Sequence, residues 1–164
     1  MLLSSYSFAQ PRSLGATFSF TGPSICYEHE LGKENSFIVL EMKAQAAEFY
    51  TGHSSYPGVS ASANWNMVVK QWTSPEDNTI NLIAGSGLIV GYCADHKSAH
   101  GLMYGLKGRV GVECHYDRNI IISACISPII GSHLMIYDDH VVMKYFRNGI
   151  QYALIPEIGI KYRF

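Results

Sequence analysis

A chain of 164 residues with 12 Lys plus Arg against 13 Asp plus Glu carries a formal net charge of −1. That excludes the basic footprint of a nucleic-acid-binding domain and the acidic balance of a solvating tail. An apolar content of 48% excludes disorder, and no apolar run reaches the ~18 residues that a membrane-spanning helix requires.

Residues 1–9, from Met1-Leu2-Leu3 to Ser7-Phe8-Ala9, read as the truncated end of an export signal. The stretch is apolar and closes on a small-x-small box before Gln10, although the basic leader is missing. Residues 10–164 then form a single domain, since a chain of this length needs only one core.

The rest of the chain is dominated by period two, the mark of strands with two unlike faces. Leu14–Thr21 sets Leu14, Ala16, Phe18 and Phe20 against Gly15, Thr17, Ser19 and Thr21. Ile25–Leu31 sets Ile25, Tyr27 and Leu31 against Cys26, Glu28 and Glu30, with His29 interrupting the apolar face. In Ser36–Ala47, Ile38, Leu40, Met42, Ala44 and Ala46 oppose Glu41, Lys43 and Gln45. In Val59–Lys70, Val59, Ala61, Ala63, Trp65, Met67 and Val69 oppose Ser60, Ser62, Asn64, Asn66 and Lys70. Thr79–Cys93 places Ile80, Leu82, Ala84, Leu88, Val90 and Tyr92 opposite Asn81 and three glycines. Leu102–Tyr116 is the clearest: Leu102, Tyr104, Leu106, Val110, Val112, Cys114 and Tyr116 face away from Lys107, Arg109, Glu113 and His115. Ile120–Ile130 is nearly all apolar, with Ser123, Cys125 and Ser127 sharing a parity. Gln151–Phe164 ends the series, with Tyr152, Leu154, Pro156, Ile158, Ile160, Tyr162 and Phe164 opposite Gln151, Glu157, Lys161 and Arg163.

Eight strands put both termini at one end. The connections at that end are short: Gly32-Lys33-Glu34-Asn35, residues 73–78, and Asp117-Arg118-Asn119. At the other end a tight Gly22-Pro23 is followed by longer loops at about 48–58, 94–101 and 131–149. This asymmetry is that of a transmembrane β-barrel.

Alternation alone does not say which face is inside. A soluble lipocalin-like barrel fills its interior with the apolar set; a membrane barrel does the reverse. Segments of roughly 8–15 residues cover the 9–11 that a tilted strand needs. The polar face is rich in Gly, Ser, Asn and mixed charge, which suits a narrow lumen. Aromatics stand near the strand ends, Phe20, Tyr92, Tyr104 and Tyr152 at one and Tyr116, Tyr162 and Phe164 at the other, as in interfacial girdles.

The last eight residues, Glu157 to Phe164, read polar-x-Gly-x-x-aromatic-x-aromatic through Glu157, Gly159, Tyr162 and Phe164. Here the chain resembles the outer-membrane β-barrel proteins of Gram-negative bacteria, and by size the OmpA-transmembrane-domain and OmpX type. The resemblance implies an all-β, eight-stranded antiparallel up-and-down transmembrane β-barrel in the outer membrane. It also implies that those four residues are a signal read by the barrel-assembly machinery, with outer-membrane lipid and lipopolysaccharide as surroundings.

Eight strands leave an interior that side chains fill. The expected lumen set is Glu28, Glu30, Glu41, Lys43, Lys70, Lys107, Arg109, Glu113, Glu157, Lys161 and Arg163, nearly balanced in sign. Such a balance predicts a plug of ion pairs rather than an ion pore of one dominant sign, because unpaired buried charge is costly. Cysteines 26, 93, 114 and 125 show no CxxC spacing, and free thiols are expected. Asp95-His96 with His100, and Asp138-Asp139-His140, hold ligand-type residues in loops, but that spacing is not diagnostic and no metal or cofactor is expected.

Function is less legible. Leu134, Met135, Ile136, Val141, Val142, Met143, Tyr145 and Phe146 make the 131–149 loop unusually apolar. It reads either as an extension of the last hairpin beyond the membrane, docking another envelope protein by its edge, or as a lid folded over the barrel mouth. The expectation is a structural or surface-interaction platform, or an accessory subunit of an envelope complex, with no enzyme activity. The first alternative is an outer-membrane acyl hydrolase acting on lipid A or phospholipid, for which His53-Ser54-Ser55 with Glu48, or Ser132-His133, supply the residue types. The second is a soluble ligand-binding barrel.

Overall fold

The computed structural model describes residues 12–32, 35–73, 78–116, 119–137 and 140–164. Residues 1–9, with the expected signal remnant, lie outside that set. Alternating residues build β1 (Arg12–Phe18), β2 (Ser24–Glu30), β3 (Ser36–Gln45), β4 (Gly58–Thr73), β5 (Thr79–Cys93), β6 (Gly101–Tyr116) and β7 (Ile120–Ile126). They are followed by β8 (Ile129–Tyr137), β9 (His140–Tyr145) and β10 (Glu157–Arg163). Two one-turn helices interrupt them, α1 (Ala47–Tyr50) after β3 and α2 (Asn148–Gln151) before β10.

Each strand from β1 to β6 pairs antiparallel with the next. β10 pairs with β7 and with β1, from Ser13↔Arg163 to Phe18↔Ile158, and so closes a ring of eight. A closed ring leaves no edge of the barrel unpaired, which a lipid environment demands.

The seventh barrel strand is broken. β7 pairs with Val110–Tyr116 of β6, and β8 continues along Leu102–Lys107 of the same strand. The break falls at Ser127-Pro128, since proline has no N–H for the ladder; Gly108, opposite, donates its N–H to the Pro128 carbonyl at 2.8 Å. Most of the described part of the 131–149 loop is strand. It is the β8–β9 hairpin, paired from Ser132↔Tyr145 to Tyr137↔His140, and it extends the wall instead of folding over the mouth.

The last strand starts later than its pattern suggested. β10 begins at Glu157, and Gln151–Pro156 turn back through α2 and a bend in which Ile155 N–H bonds the Tyr152 carbonyl at 3.1 Å. Tyr152, Leu154 and Pro156 therefore belong to no strand face.

Polarity is inverted relative to a soluble barrel. Leu14, Leu88, Leu106 and Ile158 are each 57–67% exposed on the outer face, whereas Glu28, Glu41, Lys107, Arg109, Glu113 and Lys161 are buried inside. Rings stand near the strand ends of the outer face, Tyr92 and Tyr104 at one end and Trp72, Tyr116, Tyr162 and Phe164 at the other. The lumen fits because wide and narrow faces meet: Gly85 and Gly87 of β5 stand opposite Asn66 and Asn64 of β4. A Cβ at Gly87 would lie 2.0 Å from the Ala63 carbonyl oxygen, so no side chain fits between the strand and those amides.

Candidate functional site

Starting from the end where β1 begins and β10 ends, the lumen is filled layer by layer. Arg163 pairs with Glu30 at the rim, half-exposed. Above them Lys161, 2% exposed, reaches both Glu28 at 2.5 Å and Glu113 at 2.6 Å. Glu113 also faces Arg109 at 3.6 Å. Cys26, Phe37, Val39, Ile83 and Cys125 pack around this group as an apolar collar. Higher still, Lys107 pairs with Glu41 and Lys43 with Glu157, and Ser127 donates to the second Glu157 oxygen at 2.9 Å. Four of these pairs, Arg163–Glu30, Lys161–Glu28, Lys107–Glu41 and Lys43–Glu157, run between β2 or β3 on one wall and β6 or β10 on another, so they tie the barrel across its width.

Lys70 is the exception among the expected lumen charges: it lies on the outer face, not in the lumen. The β4–β5 register slips between Val68 and Lys70. The extra residue, Val69, shifts the parity, as a β-bulge does. Lys70 consequently points outward, with its ammonium 5.1 Å from the Trp72 ring centroid.

A cavity of about 30 Å³ separates the plug from the mouth, lined by Lys43, Lys107 and Glu157 below and by Glu48, Asn148 and Tyr152 above. That is room for about one water. The mouth is closed by a clip of three loops. Asn148 donates its backbone N–H to Asp95 at 2.8 Å and its side-chain amide to Glu48 at 3.0 Å. Arg147 N–H reaches the other Asp95 oxygen at 3.0 Å, and Lys97 N–H the other Glu48 oxygen at 3.1 Å. Asp95 and Glu48 are both buried, and peptide N–H groups satisfy much of their charge. Nothing in the local pattern marks these residues, because the partners lie some 50 to 100 positions apart.

Beside the clip, His100 stacks on Tyr56 with centroids 4.1 Å apart and an interplanar angle of 18°. Burial pushes its imidazole below the usual histidine range, against a smaller upward pull from a backbone hydrogen bond of Tyr56. Tyr152 is held above the ordinary tyrosine value, first by burial and then by the carboxylates of Glu48 and Asp95.

The hydrolase residue types do not assemble into a relay. His53 Nδ1 meets both Glu48 at 3.3 Å and Thr51 Oγ1 at 2.9 Å, so one ring nitrogen serves both groups. Ser54 donates instead to the Tyr56 carbonyl at 2.7 Å. Ser132 and His133 are successive residues of β8 and point to opposite faces. Among the described residues no three His, Cys, Asp or Glu side chains converge on a metal position; Asp138 and Asp139 lie outside those residues. All four cysteines are free.

The apolar hairpin residues divide by parity. Ile136, Val141, Met143 and Tyr145 are exposed on the outer face, Ile136 to 79%, with Leu134 and Val142 half-buried. Met135 and Phe146, expected on the partner-facing loop, are instead buried, at 1% and 3%. Met135 shares the inward parity of His133, and Phe146 leaves β9 to tuck inside, its N–H on the Gly131 carbonyl at 2.9 Å. At the seam, Glu157 and Gly159 face the lumen while Tyr162 and Phe164 face out. Phe164 N–H bonds the Arg12 carbonyl at 2.8 Å.

Neither a protein-family model nor a curated protein matches the sequence. Among solved structures, the chain is similar to the N-terminal β-barrel domain of OprF from Pseudomonas aeruginosa. That match has a TM-score of 0.51 at 11% identity, covering 94% of this chain and 96% of that one. A major outer membrane protein of Thermus thermophilus matches with a TM-score of 0.49 at 11% identity, over 95% and 100% of the two chains. Ail, the attachment invasion locus protein of Yersinia pestis, matches with 0.35 at 11% identity over 94% of each. The likeness at this identity is one of fold: the chain is an eight-stranded barrel of the outer-membrane kind, apolar toward lipid and ion-paired within.

Proposed function

We propose that the protein is a surface-interaction platform of the outer membrane: a rigid, plugged barrel that presents the β8–β9 edge to another envelope protein. The observation that supports this is the end of the sheet order. β9 pairs with β8 and with no other strand among the described residues, and it displays Val141, Met143 and Tyr145 beside Ile136. β8 runs about two residues past the start of β6, roughly 7 Å at strand rise. An unpaired strand with an apolar face is a template for strand addition.

The other parts fit this role without enzyme chemistry. The plug and the clip make the barrel a stiff mount. Lys144 and Arg147 line, with His96 and Tyr145, a hollow of about 400 Å³ at the mouth, where anionic lipopolysaccharide headgroups would find cations. The seam residues Glu157, Gly159, Tyr162 and Phe164 are the segment we assign to recognition by the barrel-assembly machinery.

The test is a Val141→Lys/Met143→Lys variant. Both residues point outward, so the barrel keeps its heat-dependent gel mobility. A stoichiometric envelope partner that co-purifies with the native chain and is lost from the variant is the expected result. Native protein that brings down no stoichiometric partner, or a variant that keeps it, refutes the reading.

A further inference from the structure

The wall of the barrel is of unequal height. β2, β1 and β10 are neighbours in the sheet and hold seven residues each. At strand rise and a tilt of ~40° such a strand climbs ~18 Å, short of the ~25 Å apolar band of a membrane barrel. β4, β5 and β6 hold 16, 15 and 16 residues and overreach it. At the foot of the low wall Arg12 shares the outward parity of Leu14 and is exposed, and Arg163 pairs with Glu30 at the rim. Those charges set the lower boundary, so the missing ~7 Å falls at the mouth.

Three segments stand there. The Ala44 and Ala46 N–H groups bond the Pro23 and Thr21 carbonyls at 3.0 and 2.8 Å, which seats the start of α1 against the β1–β2 turn. Phe20 meets Tyr50 of α1 at a centroid distance of 6.1 Å and Tyr152 at 5.5 Å. Phe49, Tyr50, Ile150 and Leu154 are exposed, Leu154 to 80%. Residues 19–23, 44–50 and 148–156 contain a single charged residue, Glu48, and it is buried. Elsewhere at the mouth charge is displayed freely, by Lys97, Lys144 and Arg147.

We propose that this side of the mouth lies in the outer leaflet, with Phe49, Tyr50, Ile150 and Leu154 among lipid acyl chains in place of the missing strand ends. The patch is continuous with the lipid-facing wall through Phe18, Phe20 and Ile158, all exposed. Its backbone is suited to lipid, where a bare N–H is costly: the N–H groups of Tyr50, Ile150, Gln151, Tyr152, Ala153 and Ile155 bond carbonyls at 2.9–3.1 Å. Thr51 and Gln151, exposed and polar, mark the water side and place the segments at the upper edge of the acyl region. The alternative, a bilayer thinned to the height of the seam, would leave the four side chains in water.

The test is fluorescence quenching in vesicles of phosphatidylcholine brominated on its acyl chains. Trp65 and Trp72, the two tryptophans of the chain, are replaced by Phe, and Phe49→Trp or Leu154→Trp supplies a single probe. Leu88→Trp on the lipid face and Ala99→Trp in the exposed 94–101 loop set the two limits. Heat-dependent gel mobility checks that each variant is a closed barrel. The expected result is a loss of fluorescence at both probes nearer that of Leu88→Trp than that of Ala99→Trp, with acrylamide in the water giving the reverse order. A loss nearer that of Ala99→Trp at either probe overturns the proposal; a thinned bilayer, or a patch kept bare for a protein partner, would give that result.

Discussion

Replacing Lys161 by Met tests whether the lumen is a dry, ion-paired plug. Lys161 is 2% exposed and bridges Glu28 and Glu113; methionine keeps the length and removes the charge. Removing one member of a buried pair costs ~3–5 kcal/mol, because the other charge is left uncompensated. Two carboxylates lose their partner here, but Glu113 keeps Arg109 at 3.6 Å, so the loss belongs near ~4 kcal/mol and not at twice that. Such a loss is a large part of the ~5–15 kcal/mol that holds a domain together. The assay is urea unfolding from lipid vesicles, followed by the fluorescence of Trp65 and Trp72, both on the outer face. Adding Glu28→Gln to Lys161→Met removes one orphaned charge and should restore about half of the loss, a coupling that a double-mutant cycle isolates. A Lys161→Met loss below ~1 kcal/mol, the level of an exposed pair, would refute the reasoning and mean that the lumen is wet.

Lys43 and Lys70 look alike in sequence and should behave differently. Lys43→Met orphans buried Glu157 and should cost several kcal/mol, whereas Lys70→Met loses only a ring contact worth ~1 kcal/mol; equal losses in urea unfolding would contradict the bulge. Asn148→Ala removes the amide that holds Glu48 and should destabilise the mouth by ~1–3 kcal/mol. Faster exchange of amides 94–101 would show this, while bilayer conductance stays at background because Lys43–Glu157 seals the level below. His100 has a pKa below its ordinary 6.5, so the folded mouth favours the neutral ring. Its contribution is complete above the unfolded value and is lost as pH falls through the lowered folded one, so exchange in this loop should rise in acid. His100→Gln should flatten that response, and an unchanged pH profile would exclude His100 as its source.

Period two made the barrel legible because a lipid-facing strand must be apolar on every second residue. Leu102–Tyr116 obeys this closely, and it appears as β6 almost to the residue. The failures have physical causes. Val68-Val69-Lys70 reads equally well in either parity, so only the register against Leu82 and Ile83 reveals the bulge that turns Lys70 outward. Tyr152, Leu154 and Pro156 keep the alternation of a strand, but Pro156 cannot donate to a ladder and the chain turns through α2 instead. The clip of Glu48, Asp95 and Asn148 was illegible for another reason. Each is an ordinary loop residue, and only closure of the ring brings them within 3.0 Å.

Closure of the ring also gives the ion pairs a role as proofreaders of assembly. Lys161 and Glu28 are separated by 133 positions in the chain, and they meet only when β10 has docked on β1 with Gly15 beside Lys161. A seam slipped by two residues would keep every apolar side chain facing lipid, so the hydrophobic pattern alone could not reject it. It would, however, carry Lys161 about 7 Å along the barrel, away from Glu28 and Glu113, and strand Lys161 and Glu28 in the dry lumen while Glu113 keeps only Arg109. The outer surface permits many ways to close the barrel; the charges inside admit one.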